Sequence, residues 1–316
     1  MTISIHPARL DQTAHIVEQF KRRIGVWQRI DTDGHVADVP YESLTLYERW
    51  MHGGAWMSIE TGAIHLNHLL LGGGIALTAI DEASGRVVGY LEAYPGVEPA
   101  PIGSILHIAH LASEPGAQSI EDALIAAITA EAKALKCQGI TLTRFAEDAL
   151  SMAAARRAAL VTMGCVRRYM VASRAGQVFY RATEQTSADP ALINGWAMPI
   201  GRLTSARQMW ESLMPRTFDT IPEIRERKLH RMKFNAAGQD AYVVLQQGLY
   251  NPRSADVSCW TPKPLTAQLL ASIRDWAHRE GYRALSLVVT DADVKLLGAD
   301  VEADGYSQET CALELA

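Results

Sequence analysis

Two stretches of equal length decide the fold: ALIAAITAEAKALKCQGITLTRF (123–145) and AQLLASIRDWAHREGYRALSLVV (267–289). In each, apolar residues at helical spacing lead to a glycine and then to a run rich in apolar and β-branched residues. This order is typical of an amphipathic helix followed by a buried strand. A further helix and a glycine follow at near-equal distances, with Gly164 in the first half and Gly305 in the second. The sequence therefore predicts two copies of one supersecondary plan.

The flanking segments extend the repeat. TISIHPARL, GIALTAI, RVVGYLEAY and SILHIAHLA read as strands, with GIALTAI and RVVGYLEAY as a hairpin, and DQTAHIVEQFKRRI reads as a helix. Helix DALSMAAARRAALVTM, Gly164 and strand VRRYMVAS complete the first half. WAMPIGRL and SARQMWESLM match the first strand and helix in the second half, while QDAYVVLQQGLY and SADVSCW match later strands. RATEQTSADPALING is rich in polar residues and proline and is expected to link domains 1–180 and 191–316. Because residue identity between the copies is low, an unrelated α+β domain in the C-terminal half is the alternative.

Composition restricts the function classes. A chain of 316 residues with 48% hydrophobic and 21% charged residues is long enough for two folded domains. Its net charge of -5 and scattered basic residues argue against a nucleic-acid partner. The most apolar stretch, LLLGGGIALTAI (69–80), is too short to span a bilayer, so no membrane partner is expected. Four cysteines without a C-x-x-C pair and without a signal peptide indicate the cytoplasm.

The first half resembles the GNAT superfamily of acyl-CoA-dependent N-acetyltransferases. ISIHPARLDQTAHIVEQF is similar to the opening strand and helix of that family, GRVVGYLEAY to its third strand and SILHIAHLASEP to its fourth. AALVTMGCVRRYMV is similar to its late helix, glycine and final strand. The resemblance implies a mixed α/β (α+β) fold of two tandem GNAT-like domains, each a mostly antiparallel mixed sheet flanked by helices. It also implies that acetyl-CoA donates an acetyl group to a small-molecule or peptide amine. The protein would be a monomer or a homodimer.

In that family the motif R/Q-x-x-G-x-G/A brings backbone amides close to the pyrophosphate of CoA. It falls here on GAQSIE (116–121), in which Ser119 and Glu121 replace small residues. The alternative is an ordinary helix whose first amides are capped by Ser119 and Asp122. The matching loop of the second half, CWTPKPLTAQLL (259–270), has no glycine and two prolines that lack N–H groups, so this copy is expected to have lost the cofactor. The resemblance implies the following cofactor-binding residues: Leu111, Ala112, Ser113, Gly116, Ala117, Gln118 and Ser119.

Acetyl transfer needs a group that accepts the proton of the amine, and often an acid for the departing thiolate. His110 on the fourth strand and Glu92 on the third are the candidate bases, while His107 is expected to face the other side of its strand. The tyrosine that commonly serves as acid in the family falls on Leu160, so Tyr169 on the next strand is the candidate substitute. A purely structural role is the alternative for each of these residues.

No metal site is expected. His65 and His68 form an H-x-x-H pair with His52 nearby, but a strand or loop pair lacks the geometry of the helical zinc signature. The resemblance places an aromatic helical segment beside the acceptor site, with core packing as the alternative: Tyr47, Trp50 and Trp56. The rival to an acetyltransferase is a catalytically silent GNAT-like protein that serves as a ligand-binding or assembly module.

Overall fold

The structure is a computed structural model that describes residues 2–31, 33–114, 116–145, 149–201, 205–236, 238–299 and 301–315, with the backbone alone at 149–152. Its contacts divide the chain into two compact units. The first unit comprises Met1–Pro95, Ile108–Leu135 and Arg216–Glu226. The second comprises Gly96–His107, Lys136–Pro215 and Arg227–Ala316.

The first unit is built on strands β1, β4, β5 and β6, which are neighbours in this order, with helices α1 to α4. Strand β5 passes into the second unit at Gly96, and β6 enters the first unit at Ile108. The bounds are β1 (Ile3–Pro7), α1 (Thr13–Lys21), β2 (Gln28–Ile30), β3 (Val36–Asp38), α2 (Leu46–Met51), α3 (Ile59–Leu71), β4 (Ile75–Asp81), β5 (Arg86–Val97), β6 (Ser104–Ser113) and α4 (Gln118–Ala134).

The predicted hairpin of the first half is confirmed, since β4 and β5 pair antiparallel with Leu77 opposite Leu91. Helix α1 buries Ile16 and Phe20, at the helical spacing that the sequence shows. These side chains pack in one core with Trp56 and other buried residues of the unit. The spacing of the apolar residues in α1 therefore predicts correctly which side of the helix is buried.

The remaining elements lie in the second unit, except α7, which belongs to the first. Their bounds are β7 (Gly139–Phe145), α5 (Ala149–Arg157), β8 (Val161–Ala172), β9 (Tyr180–Glu184), β10 (Ala197–Ile200), α6 (Ala206–Leu213), α7 (Pro222–Glu226), β11 (Leu229–Ala236), β12 (Gln239–Gln247), β13 (Ser254–Thr261), α8 (Ala267–Arg279), β14 (Ala284–Thr290), α9 (Val294–Leu297) and β15 (Glu302–Glu314).

The second unit repeats the strand order of the first. Strands β9, β11, β12 and β13 pair antiparallel in this order, and α8 connects β13 to the parallel strand β14. Strand β9 corresponds to β1 of the first unit, because it pairs with the outer edge of β11, with Ala182 opposite Phe234. The prediction that WAMPIGRL is the first strand of this copy is therefore wrong. The polar segment Tyr180–Glu184, which reads partly as linker, holds that place, and Ala197–Ile200 pairs with β13 instead.

The last strands of the two copies are exchanged. Strand β15 lies between β7 and β8, with Cys311 opposite Leu142 on one side and opposite Thr162 on the other. Strand β8 in turn pairs with β14, with Tyr169 opposite Leu287. Each copy therefore completes its sheet with the final strand of the other copy.

Two glycines that are predicted to stop helices lie inside strands instead. Helix α4 ends at Ala134, and Lys136 takes the left-handed conformation (φ 58°), while Gly139 already begins β7. Helix α5 ends at Arg157 rather than near Gly164, which lies within β8. Non-glycine residues adopt the left-handed conformation only at a cost in free energy. The sequence pattern therefore favours a glycine as the residue that ends a helix.

All four cysteines are unpaired, and Cys165 alone among them is only partly buried. In the part of the chain that the structure describes, no helix has both the length and the apolar character needed to cross a membrane.

Candidate active site

A buried carboxylate on β5 is the centre of the site in the first unit. The side chain of Glu92 is 1% exposed. Its Oε2 accepts hydrogen bonds from Tyr90 Oη at 2.8 Å and from Trp56 Nε1 at 3.1 Å. The Nε2 atom of His65 lies 3.1 Å from both carboxylate oxygens. His110 Nε2 lies 3.8 Å from Oε1, which is ion-pair distance but too long for a direct hydrogen bond.

Several elements of the first unit bring these groups together. Tyr90 and Glu92 lie two residues apart on β5 and so point to the same face of the sheet. Trp56 comes from a 3₁₀ turn before α3, and Phe20 of α1 stacks on its ring at a centroid distance of 5.4 Å. Helix α3 can approach because Gly62 faces this tryptophan, where a Cβ atom would lie 3.1 Å from the ring.

The charges in this cluster stabilise each other. Burial by itself would raise the pKa of Glu92, but the neighbouring His65 and the hydrogen bonds that the carboxylate accepts outweigh it and lower the pKa to about 2. Burial would lower the pKa of His65, but the neighbouring carboxylate raises it above its usual value. The pKa of the Tyr90 phenol is raised well above its usual range by burial and by the same carboxylate. The cluster therefore pairs an anionic Glu92 with an imidazole, His65, whose protonated form the carboxylate favours.

His110 differs from the rest of the cluster because its side chain remains 45% exposed. Its ring contacts Phe20 edge to face at 5.6 Å. Partial loss of hydration lowers the pKa of His110, and the charge of Arg23 lowers it further, although Glu92 acts in the opposite direction. At neutral pH this residue is therefore a neutral imidazole that can accept a proton.

The structure brings two of the three predicted catalytic residues together, Glu92 and His110. His107 is bound elsewhere, with Nδ1 2.8 Å from Thr141 Oγ1. Tyr169 lies in the second unit, partly buried against the core of that unit. Its role as an acid stays a prediction. Leu160, at the place of the family's tyrosine, is buried.

The predicted cofactor loop leads into an uncapped helix. Helix α4 begins at Gln118 with Ala117 as its N-cap residue, and no side chain accepts a hydrogen bond there. Ser119 is therefore the second residue of the helix and not its N-cap, which the alternative requires. Gly116 is exposed in the left-handed conformation (φ 79°), with no atom within 4 Å of the place of a Cβ. A helix N-terminus without a side-chain cap, behind a glycine with open space, suits an anion.

Some of the groups in this loop are already bonded. The amides of Ala117 and Gln118 donate to the carbonyls of Glu114 and Gly116 at 3.1 and 3.0 Å. The Ser113 hydroxyl donates to Glu121 Oε1 at 3.0 Å. A diphosphate bound here would have to compete with these hydrogen bonds.

The other predicted loop residues lie at the end of β6. Ala112 is buried, and Leu111 is partly buried. The Leu111 carbonyl accepts a hydrogen bond at 2.8 Å from Arg23, the same side chain that acts on the pKa of His110.

The matching helix of the second copy, α8, has a side-chain cap at its N-terminus. Thr266 caps α8, because its side chain accepts a hydrogen bond from the Leu269 amide at 3.2 Å. Before it, the Thr261 hydroxyl donates to the carbonyl of Lys263. The two helix starts thus differ in their N-cap residues, Ala117 and Thr266.

The histidine pair and the aromatic residues have structural partners. His65 and His68 lie on helix α3, not on a strand or loop, and the ring of His65 is bound to Glu92. Trp56 is buried in the core, as its packing alternative predicts. Trp50 contacts Phe218 at a ring distance of 4.3 Å. The contacts of Glu92 with Trp56 and His65 are the part of the site that sequence reasoning missed.

No family model and no curated protein sequence matches this chain. Solved structures do match it. A GCN5-related N-acetyltransferase from Anabaena variabilis is 12% identical with a TM-score of 0.62, over 98% of this chain and 72% of that protein. Eis1 from Mycobacterium abscessus is 12% identical with a TM-score of 0.54, over 99% of this chain and 73% of that protein. A tandem GNAT protein from the clavulanic acid biosynthesis pathway is 15% identical with a TM-score of 0.50, over 99% of this chain and 98% of that protein.

Proposed function

Because the chain has the tandem GNAT fold, we propose that its N-terminal copy is an N-acetyltransferase that uses acetyl-CoA to acetylate a small-molecule or peptide amine. The observation that supports this most is the exposed imidazole of His110 beside the buried anionic carboxylate of Glu92. The attack of an amine needs a group that accepts its proton. A neighbouring negative charge stabilises that group once it is protonated. The four unpaired cysteines favour a reducing compartment such as the cytoplasm.

Acetyl transfer forms a C–N bond, breaks a C–S bond and releases a proton from the attacking amine. We assign the acceptance of this proton to Nε2 or Nδ1 of His110, directly or through one water. Glu92 stabilises the imidazolium that results, since an anion 3.8 Å away favours the charged ring.

Glu92 itself is a poor proton acceptor, although it is one of the two predicted bases. Its carboxylate is buried, accepts hydrogen bonds from two aromatic side chains and has a pKa of about 2. We therefore propose that Glu92 positions and polarises His110, while His65 holds the carboxylate in its ionised form.

The cofactor loop is proposed to bind the diphosphate of CoA with its backbone amides. The uncapped start of α4 and the open space at Gly116 fit an anion there. The proposed set is Leu111, Ala112, Ser113, Gly116, Ala117, Gln118 and Ser119.

Isothermal titration with acetyl-CoA tests the proposal. Gly116→Asp should abolish binding, because it adds a negative charge and a side chain at a positive φ. Gly85→Asp is the matched control, since Gly85 also has a positive φ (70°) and open space around it but lies in the β4–β5 turn. Loss of binding in both variants, or in neither, would contradict the assignment of the loop.

A catalytically silent module is the second candidate. It is favoured by the internal hydrogen bonds of the Ala117 and Gln118 amides, which leave these donors engaged without a ligand. No heat with millimolar acetyl-CoA, together with no release of CoA thiol in the presence of an amine panel, would decide for this candidate.

A further inference from the structure

Strands β13 and β14 separate after a short parallel pairing. They are in register from the pair Ser254–Ala284 to the pair Val257–Leu287, and no farther. With α8 between them they form a βαβ unit, and ligands of α/β proteins bind in crevices at the carboxyl ends of such strands. We call the space beyond Val257 and Leu287 the β13/β14 gap.

Strand β10 occupies the β13/β14 gap. It pairs antiparallel with β13, with Ile200 opposite Cys259 and Ala197 opposite Thr261. On the other side, the Gly201 amide donates to the Val288 carbonyl at 3.0 Å. Main-chain groups that the separation of the two strands would expose are thus bonded by the chain's own backbone.

Where β13 and β14 begin to separate, the cavity is small and is lined by residues of α6, β12, β13 and β14. A cavity of about 60 Å³ remains between α6 and the strands. A site for a cofactor or drug-sized molecule has about 300–1,000 Å³, so this remnant holds only a couple of water molecules. Its lining residues are Met209, Leu213, Val244, Gln246, Asp256, Val257, Ser258, Ser286 and Val288.

Strand β10 is held firmly on both sides. Ile200 is fully buried in the core that includes Leu287 and Cys259. After the strand, the carbonyl of Ala206 at the start of α6 accepts a hydrogen bond from Trp260 Nε1 at 3.0 Å. Before it, the Gly195 amide donates to the Val97 carbonyl at 2.8 Å. Opening the gap would break these contacts and expose a buried isoleucine.

We infer that β10 is a permanent internal occupant of the second copy's ligand gap, and that the chain therefore binds one acyl-CoA rather than two. The inference about the number of ligands rests on the proposed function of the N-terminal copy. A second observation agrees with it: the Thr266 cap occupies an amide at the start of α8 that an anion would need.

The test combines stoichiometry with hydrogen exchange on the full chain. Native mass spectrometry at saturating acetyl-CoA should show one ligand per chain, and none in Gly116→Asp. Lys263→Ala, in the loop before α8, is the matched control and should leave both the stoichiometry and the affinity unchanged. Peptides that cover 197–201 should exchange slowly, and acetyl-CoA should not accelerate them.

Every outcome of these experiments either supports or overturns the inference about β10. Two ligands per chain, or one remaining in Gly116→Asp, would overturn the inference while leaving the chain a CoA-binding protein. Fast exchange of 197–201, or exchange that rises with acetyl-CoA, would also overturn it, because β10 would then be displaceable. No ligand at all would refute the proposed function, whereas slow exchange of the same peptides would still support the closed gap.

Discussion

Replacing Glu98 by glutamine is expected to make the stability of this protein less sensitive to alkaline pH. Glu98 lies in the second unit, 8% exposed, and its Oε1 accepts a hydrogen bond from the Ala206 amide at 2.9 Å. This amide is the first of helix α6, which favours an anion. Burial nevertheless dominates and raises the pKa of Glu98 from 4.5 to about 7.

The direction of this pH dependence follows from the number of protons that the folded and the unfolded chain bind. Between pH 4.5 and 7 the unfolded chain has released the Glu98 proton and the folded chain has kept it, so stability falls as the pH rises. The full displacement of the pKa corresponds to about 3.4 kcal/mol, of which about 2.5 kcal/mol falls between pH 5 and pH 8.5. Glutamine has no such dependence, and the cost of burying its NH₂ group is the same at both pH values.

Urea unfolding of the wild type and of Glu98→Gln at pH 5 and pH 8.5 measures this quantity. The stability of the variant relative to wild type should increase by about 2.5 kcal/mol from the lower to the higher pH. Glu82→Gln is the control, since Glu82 is an exposed residue of the β4–β5 turn, and its relative stability should not change. A change below about 0.5 kcal/mol for Glu98→Gln would refute the argument that burial governs this carboxyl.

Three further outcomes test the site and the core. Glu92→Gln should destabilise the fold by about 1–3 kcal/mol at pH 7 in urea unfolding, because a neutral amide binds Tyr90, Trp56 and His65 less strongly than the buried carboxylate does; a cost below about 0.5 kcal/mol would contradict this. His110→Gln should lower the rate of CoA release in the presence of an amine by about 10²–10⁴-fold with unchanged acetyl-CoA affinity, whereas a loss confined to affinity would argue against a proton acceptor. Gly89→Ala should cost about 1–3 kcal/mol of unfolding free energy, because its Cβ would lie 2.5 Å from a side chain of α4. Gly25→Ala, with open space, is its control, and equal costs would refute the packing argument.

Local patterns predicted the elements that depend on neighbouring residues. The hairpin of β4 and β5 follows from two β-rich runs around a short turn, and α8 follows from the spacing of Leu269, Ile273 and Ala277. The places of β9 and β10 could not be found in this way. Both are short, and their partners lie far along the chain, so alternation within each segment does not say which strand it joins.

The same limit applies to the candidate site. Glu92 and His110 were found because they lie on neighbouring strands of one face. The contacts of Glu92 with His65 and Trp56 depend on how α3 packs on the sheet, and residue spacing carries no information about them. The exchange of β8 and β15 is hidden for a related reason: the residues within a strand do not show which sheet the strand joins.

The sheet of the second unit lacks a strand between β7 and β8 until β15 has been translated. Strand β7 is translated roughly 150 residues before β15, which at about 5–20 residues per second leaves it without this neighbour for about 8 to 30 s. During that interval the edges of β7 and β8 that β15 covers in the folded chain are open to solvent and to other strands.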